Sequence, residues 1–225
     1  MKVTLPHYYD FGSARGLIGP DLVRPEAWDA ARATTGPFGL PTTRRAWEQA
    51  ASTDAVTAKA NDIVDVAGRF GARTICSHGV GAALIELNIA KRGMHVICTD
   101  FAPRTVERLG VLFPEASVMQ HDICSDPPPV ADLHLMHRID SELAAEEWLS
   151  VFPRFFQPIL VVPTILLGIR GALRELAVRV VRPRATRAGW ARSEDALRAL
   201  WLPTHLDERV AVAGAPAFLL TRRDA

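Results

Sequence analysis

The hydrophobic pattern of the chain changes period twice. Residues 1–45 carry no sustained period, because Gly12, Gly16, Gly19, Pro20, Gly36, Pro37, Gly39 and Pro41 interrupt it. Only a short helix over 24–33, with Pro25 at its start, fits there. From Thr42 to Phe70 the chain is Ala-rich, and Val56, Ala60, Ile63, Val64 and Ala67 recur at helical spacing until Gly68 and Gly71 end it. Beyond Gly71 short, nearly continuous apolar runs alternate with amphipathic ones. The pattern predicts strands over 73–77, 95–99, 116–120, 132–136 and 159–166, with helices over 81–91, 104–113 and 141–151 between them. Strands that apolar along their whole length are covered on both faces, which is the condition of a parallel sheet. A helix over 193–201 then precedes strands over 208–212 and 217–221, so close together that they must be antiparallel. The expected fold is an open, mostly parallel seven-stranded α/β sheet with helices on both faces and a C-terminal antiparallel hairpin.

Composition narrows the function classes. With 48% hydrophobic and 23% charged residues the 225-residue chain is an ordinary globular one, neither disordered nor a coiled coil. The 26 basic and 25 acidic side chains leave a net charge of +1, and no basic groove interleaved with aromatics marks a nucleic-acid surface. The most apolar stretch, 158–168, is about half a membrane span and is followed by Arg170 and Arg174. The first residues lack the apolar run of a signal peptide. Cys76, Cys98 and Cys124 are too few and too scattered for a disulfide framework, and no His/Cys cluster has zinc spacing in the sequence, so no metal is expected. The expectation is a soluble cytoplasmic protein, monomer or homodimer, with a small-molecule partner and neither nucleic acid nor membrane.

The candidate chemistry starts at Ser77-His78-Gly79-Val80-Gly81-Ala82-Ala83, between the first strand of the alternating series and the helix that follows. Glycines at such a turn let the backbone approach a ligand. Asp100 ends the second strand 21 residues after Gly79, where a carboxylate can accept both hydroxyls of a ribose. Asp122 holds the corresponding place after the third strand, within reach of an adenine amino group. A dinucleotide fingerprint needs a small residue at position 84, where this chain has Leu84.

Residue by residue, the pattern resembles the class I S-adenosylmethionine-dependent methyltransferases. Their acidic-x-G-x-G-x-G motif is matched by residues 77–83, their ribose-binding acid by Asp100 in Val-Ile-Cys-Thr-Asp-Phe, their adenine-side acid by Asp122 in Gln-His-Asp-Ile, and their fourth strand by residues 131–140. The family also ends in an antiparallel hairpin. The resemblance covers about 68–225, and residues 1–67 look like the family's variable N-terminal cap. It departs in two places: Ser77 stands where the family has the acid that helps place the methionine end of the cofactor, and Ala83 where it has the last glycine.

The resemblance implies methyl transfer from S-adenosylmethionine to an oxygen or nitrogen of a small acceptor. The cofactor contacts it implies are Ser77, His78, Gly79, Gly81, Asp100, Phe101, Asp122 and Ile123. His137 and Arg138, closing the fourth strand, fall beside the transferable methyl and are the candidate catalytic pair; Arg138 can equally pair with Asp140 or Glu142. Tyr8, Tyr9 and Phe11, with Trp28, are candidates for a lid over the substrate. The run Arg179, Arg182, Arg184, Arg187 and Arg192 reads as a solvated face or as an anion site. Two other readings remain open: a nicotinamide-dependent oxidoreductase, and a non-catalytic S-adenosylmethionine-binding protein of the same fold.

Overall fold

A computed structural model describes residues 2–9, 25–33, 39–181 and 186–223. The strands of the alternating region are β2 (Thr74–His78), β3 (His95–Asp100), β4 (Ser117–Gln120), β5 (Leu133–His137) and β6 (Ile159–Val162). They lie parallel in the order β4-β3-β2-β5-β6, and the hairpin of β8 (His205–Val212) and β9 (Ala215–Arg222) extends the sheet antiparallel from β6. Seven strands, mostly parallel with a terminal hairpin, is the architecture read from the sequence. The chain enters at β2, runs outward through β3 and β4, then returns to β5. The order therefore reverses between the carboxyl ends of β2 and β5, the place where open α/β sheets hold ligands.

The element boundaries differ from the sequence pattern for local reasons. The Ala-rich stretch is two helices, α2 (Arg44–Ala51) and α3 (Asp54–Gly68), because Thr53 breaks it by capping the second: its hydroxyl accepts from the Val56 N–H at 3.4 Å. β6 stops at Val162 because Pro163, with no N–H, cannot continue the ladder. The helix expected over 141–151 is α6 (Ala145–Val151), and residues 139–144 turn across the sheet edge instead. The hairpin is tighter than expected: Val212 pairs with Ala215 across Ala213-Gly214, both left-handed (φ 49° and 74°), as a two-residue turn requires.

The helices α4 (Leu84–Ala90) and α5 (Pro103–Leu112) complete the alternation. One face of the sheet buries Ile75, Leu133, Leu135 and Leu160 against Trp47, Ile63, Leu87 and Phe113. The region expected as a variable cap thus contributes α2 and α3 to this core. The opposite face packs Met136, Val161 and Phe218 against Trp148, Phe152, Phe155 and Trp201.

Two strands have no counterpart in the sequence pattern. β1 (Thr4–Tyr9) pairs antiparallel with β7 (Thr186–Arg192) in a separate two-stranded sheet. Between β6 and β7 runs α7 (Ile169–Val181), and α8 (Glu194–Arg198) follows β7. β7 also corrects the solvated-arginine reading at Arg192, which is only 1% exposed. Its Nη1 donates to the Asp140 carbonyl and its Nη2 to the Leu143 carbonyl at 2.6 Å, so it clamps the 139–144 turn. Arg187 stacks over Trp190 instead. Arg182 and Arg184 lie outside the described residues.

Candidate functional site

The turn after β2 reverses in left-handed steps: φ is 63° at Gly79, 55° at Gly81 and 49° at Ala83. Ala83 takes this conformation although it has a Cβ, so the missing glycine is replaced at the cost of local strain. Trp47 helps hold the turn by donating from Nε1 to the Ala82 carbonyl at 2.6 Å. At Gly79 a Cβ would stand 2.5 Å from the Ile139 side chain, and at Gly81 it would stand 2.6 Å from Arg32 Nη2. Only glycine lets these neighbours come so close.

Two cavities flank this turn. The first, of about 360 Å³, lies between the turn, the end of β5 and the N-terminal elements, and includes Lys59, Glu86, His137 and Arg138 in its wall. The second, of about 410 Å³, lies over β3 and β4 and includes Phe101, Gln120, Asp122, Ile123 and Ile139. Both are bounded by Gly79 and Glu142, so the two spaces meet at the switch point.

Most residues expected at the cofactor are brought here. His78, Gly79, Phe101, Asp122 and Ile123 line the second cavity, and Gly79 and Gly81 the first. Ser77 and Asp100 line neither. Ser77 is fully buried and donates its hydroxyl to Glu86 Oε1 at 2.7 Å. Asp100 is 5% exposed, and its two oxygens accept the N–H groups of Gly81 and Ala102, each at 2.9 Å. Its carboxylate thus fastens the glycine turn to the start of α5, although burial, the largest influence, pushes its pKa up. Asp122 is exposed and accepts from the Cys124 N–H at 2.9 Å and the Ser125 hydroxyl at 3.1 Å, the bonds of a tight turn.

His137 and Arg138 both border the first cavity. Arg138 is exposed, has φ 63°, and donates its N–H to the Val162 carbonyl. His137 Nε2 is buried with no hydrogen-bond partner among the described residues. Burial, with Lys59 and Arg138 nearby, holds its pKa down at about 3, so the imidazole is neutral. No ion pair joins Arg138 to Asp140 or Glu142 among the described residues. Asp140 instead accepts from the Thr164 N–H at 2.6 Å and the Thr164 hydroxyl at 2.7 Å.

Tyr8 is half-buried on β1 but is not in the wall of either cavity. Its neighbour His7 borders the first one, 3.2 Å from Glu175 of α7. The Tyr9 side chain and Phe11 lie outside the described residues. Trp28, on α1 (Pro25–Arg32), does border the first cavity, and Arg32 lies over its ring.

Sequence reasoning missed Arg32, Lys59, Glu86 and the site role of Glu142. Glu142 is pushed up to about 8, first by burial and then by Asp100 and Asp140, with Arg32 opposing. A carboxyl group poised near neutral pH where two cavities meet is able to take a proton. No signal in the sequence marks it, because its shift comes from burial in the fold and from Asp100 and Asp140, against Arg32.

No protein-family model matches the sequence, and no curated protein matches it. Solved structures do match in fold. A human N-acetylserotonin methyltransferase in complex with S-adenosylmethionine superposes with TM-score 0.59 at 18% identity, covering 80% of this chain and 54% of the human one. A TehB-like S-adenosylmethionine-dependent methyltransferase from Corynebacterium glutamicum gives 0.54 at 18% identity, covering 80% of this chain and 95% of that one. PigF with S-adenosylhomocysteine gives 0.60 at 14% identity, covering 95% and 63%. The chain therefore spans about half the length of the human enzyme and carries the class I methyltransferase fold.

Proposed function

We propose that the protein transfers a methyl group from S-adenosylmethionine to an oxygen or nitrogen of a small acceptor. The observation that carries this reading is the pair of cavities meeting at Gly79 and Glu142, at the carboxyl ends of β2 and β5. The residues fit the two ends of such a cofactor. Phe101, Ile123 and Ile139 give the second cavity flat apolar surface for adenine, with Gln120 and Asp122 as polar edges. Lys59 and Glu86 give the first cavity a basic and an acidic group for an amino-acid end. Glu86, one turn into α4 and tied to Ser77, supplies the carboxylate that position 77 lacks. The solved structures bound to S-adenosylmethionine or its demethylated product share this fold, which adds to the same reading.

Bound there, the cofactor supplies an electrophilic methyl group on a sulfonium. The chain's part is to align the acceptor, exclude water and remove a proton. Glu142 takes the acceptor's proton, because its carboxylate is basic enough to do so near neutral pH. His137 is too weak a base at about 3 and stands neutral in the wall of the first cavity.

A nicotinamide dinucleotide fits less well. Its pyrophosphate needs free N–H donors at the glycine turn, yet the Gly81 N–H is bonded to the Asp100 carboxylate and the Ala83 N–H to the Val80 carbonyl. Calorimetric titration with S-adenosylmethionine, S-adenosylhomocysteine and NAD separates the readings. We expect micromolar binding of the two sulfur ligands, and methylation of members of a phenol and amine panel. Binding of NAD alone overturns the proposal. Tight binding of both sulfur ligands without turnover on any acceptor leaves the non-catalytic reading in its place.

A further inference from the structure

We propose that Cys76, His78 and His134 bind one transition-metal ion of the zinc class as a thiolate and two imidazoles. The three are 58 residues apart in sequence at their widest, but the register that pairs Cys76 with His134 across β2 and β5 puts them on one face of the sheet. Their donor atoms all lie within 4.8 Å of one another, and all three residues are buried. Cys76 Sγ is 3.7 Å from His78 Nε2, which is 3.1 Å from His134 Nδ1. Metal–nitrogen bonds of about 2.0–2.1 Å and a metal–sulfur bond of about 2.3 Å, set tetrahedrally, place such atoms about 3.6 and about 3.4 Å apart.

The hydrogen bonding supports an ion more than a closed polar cluster. Thr99 Oγ1 lies 3.2 Å from the Ser77 carbonyl and 3.1 Å from His78 Nδ1; with its proton on the carbonyl, His78 Nδ1 carries the ring proton. His78 Nε2 is then a bare lone pair, and Thr99 fixes its tautomer as an outer partner of a metal ligand does. In that tautomer and without an ion, the Cys76 thiol and the His134 ring both point their protons at that one lone pair. With an ion the lone pairs of both imidazoles and the Cys76 sulfur are all used. Binding breaks the Cys76 S–H bond, forms the metal–sulfur bond and releases one proton to solvent. Phe155 packs edge-on against both rings and closes one side. His78 borders the second cavity, which gives the ion a path in.

This inference stands apart from the methyltransferase reading, and its test needs no turnover. The whole protein, stripped with a chelator and kept reduced, is titrated with Co²⁺ and watched for thiolate-to-metal charge-transfer absorption and the bands of a tetrahedral site. We expect both to saturate at one equivalent, and Zn²⁺ to displace the Co²⁺. Cys76→Ser should abolish the charge-transfer band, and His134→Asn should weaken Co²⁺ binding at least tenfold. Cys124→Ser, which alters the more accessible thiol, should leave both unchanged. If Cys76→Ser fails to fold by circular dichroism, X-ray absorption of the zinc-loaded wild type decides, with one sulfur and two nitrogens expected in the first shell. A shell without sulfur, a missing charge-transfer band in the wild type, or a band that survives in folded Cys76→Ser overturns the proposal.

Discussion

Replacing Glu142 with glutamine keeps the size of the side chain and removes the only state able to take a proton. In the wild type the group is pushed to about 8, so at pH 7 roughly a tenth of it is ionised, and about nine tenths at pH 9. A rate controlled by that carboxylate therefore climbs about tenfold between those two values. The glutamine variant should lose this rising limb, and its kcat should fall by about 10²–10⁴, the usual worth of a positioned general base. S-adenosylmethionine should still bind within about tenfold, because an ordinary hydrogen bond contributes about 0.5–1.5 kcal/mol. Stability gives a second readout. A carboxyl group raised on folding holds its proton in the native state between the unfolded value of about 4.3 and the folded value of about 8. Native stability falls as pH rises through that window and falls no further from this group above it. Glu142→Gln removes the dependence, so its stability relative to wild type should improve as pH rises from 5 to 9. The assays are a pH–rate profile on any acceptor found to turn over and urea unfolding at several pH values. A variant that keeps both the limb near pH 8 and a kcat within tenfold of wild type would refute the role of Glu142.

Two other substitutions test the scaffold of the site. Gly79→Ala puts a methyl 2.5 Å from the Ile139 side chain on a left-handed backbone, so we expect about 1–2 kcal/mol lost from unfolding and at least tenfold weaker S-adenosylmethionine binding; unchanged values for both would show that the turn relaxes freely. Asp100→Ala strands the N–H groups of Gly81 and Ala102 and should cost about 2 kcal/mol in urea unfolding, with Asp100→Asn recovering about half because one carbonyl oxygen remains; a denaturation midpoint equal to wild type would mean these bonds contribute nothing.

The sequence by itself determined the alternation of strands and helices, the glycine turn after β2 and the terminal hairpin. These are local properties: a run such as Ile159–Val162 is apolar throughout because both its faces are covered, and that shows without knowing by what. Gly79 and Gly81 are legible for the same reason, since a left-handed turn limits the residue type at its own position. The pairing of β1 with β7 was not legible, because it joins strands about 180 residues apart and neither carries a clear alternation. Function at Asp100 was legible in position only; the fold turns its carboxylate inward onto two backbone N–H groups. Arg192 read as one of a solvated run until β7 carried it under the 139–144 turn. Ser77 meets a carboxyl group in Glu86 of the next helix, and Glu142 is pushed up to about 8 by burial first, with Asp100 and Asp140 adding and Arg32 opposing. Cys76, His78 and His134 have no motif spacing at all, and strand register alone assembles them. A side chain's residue type is written in the chain, but its burial, partners and charge state depend on residues distant in sequence, and only the tertiary structure brings those to it.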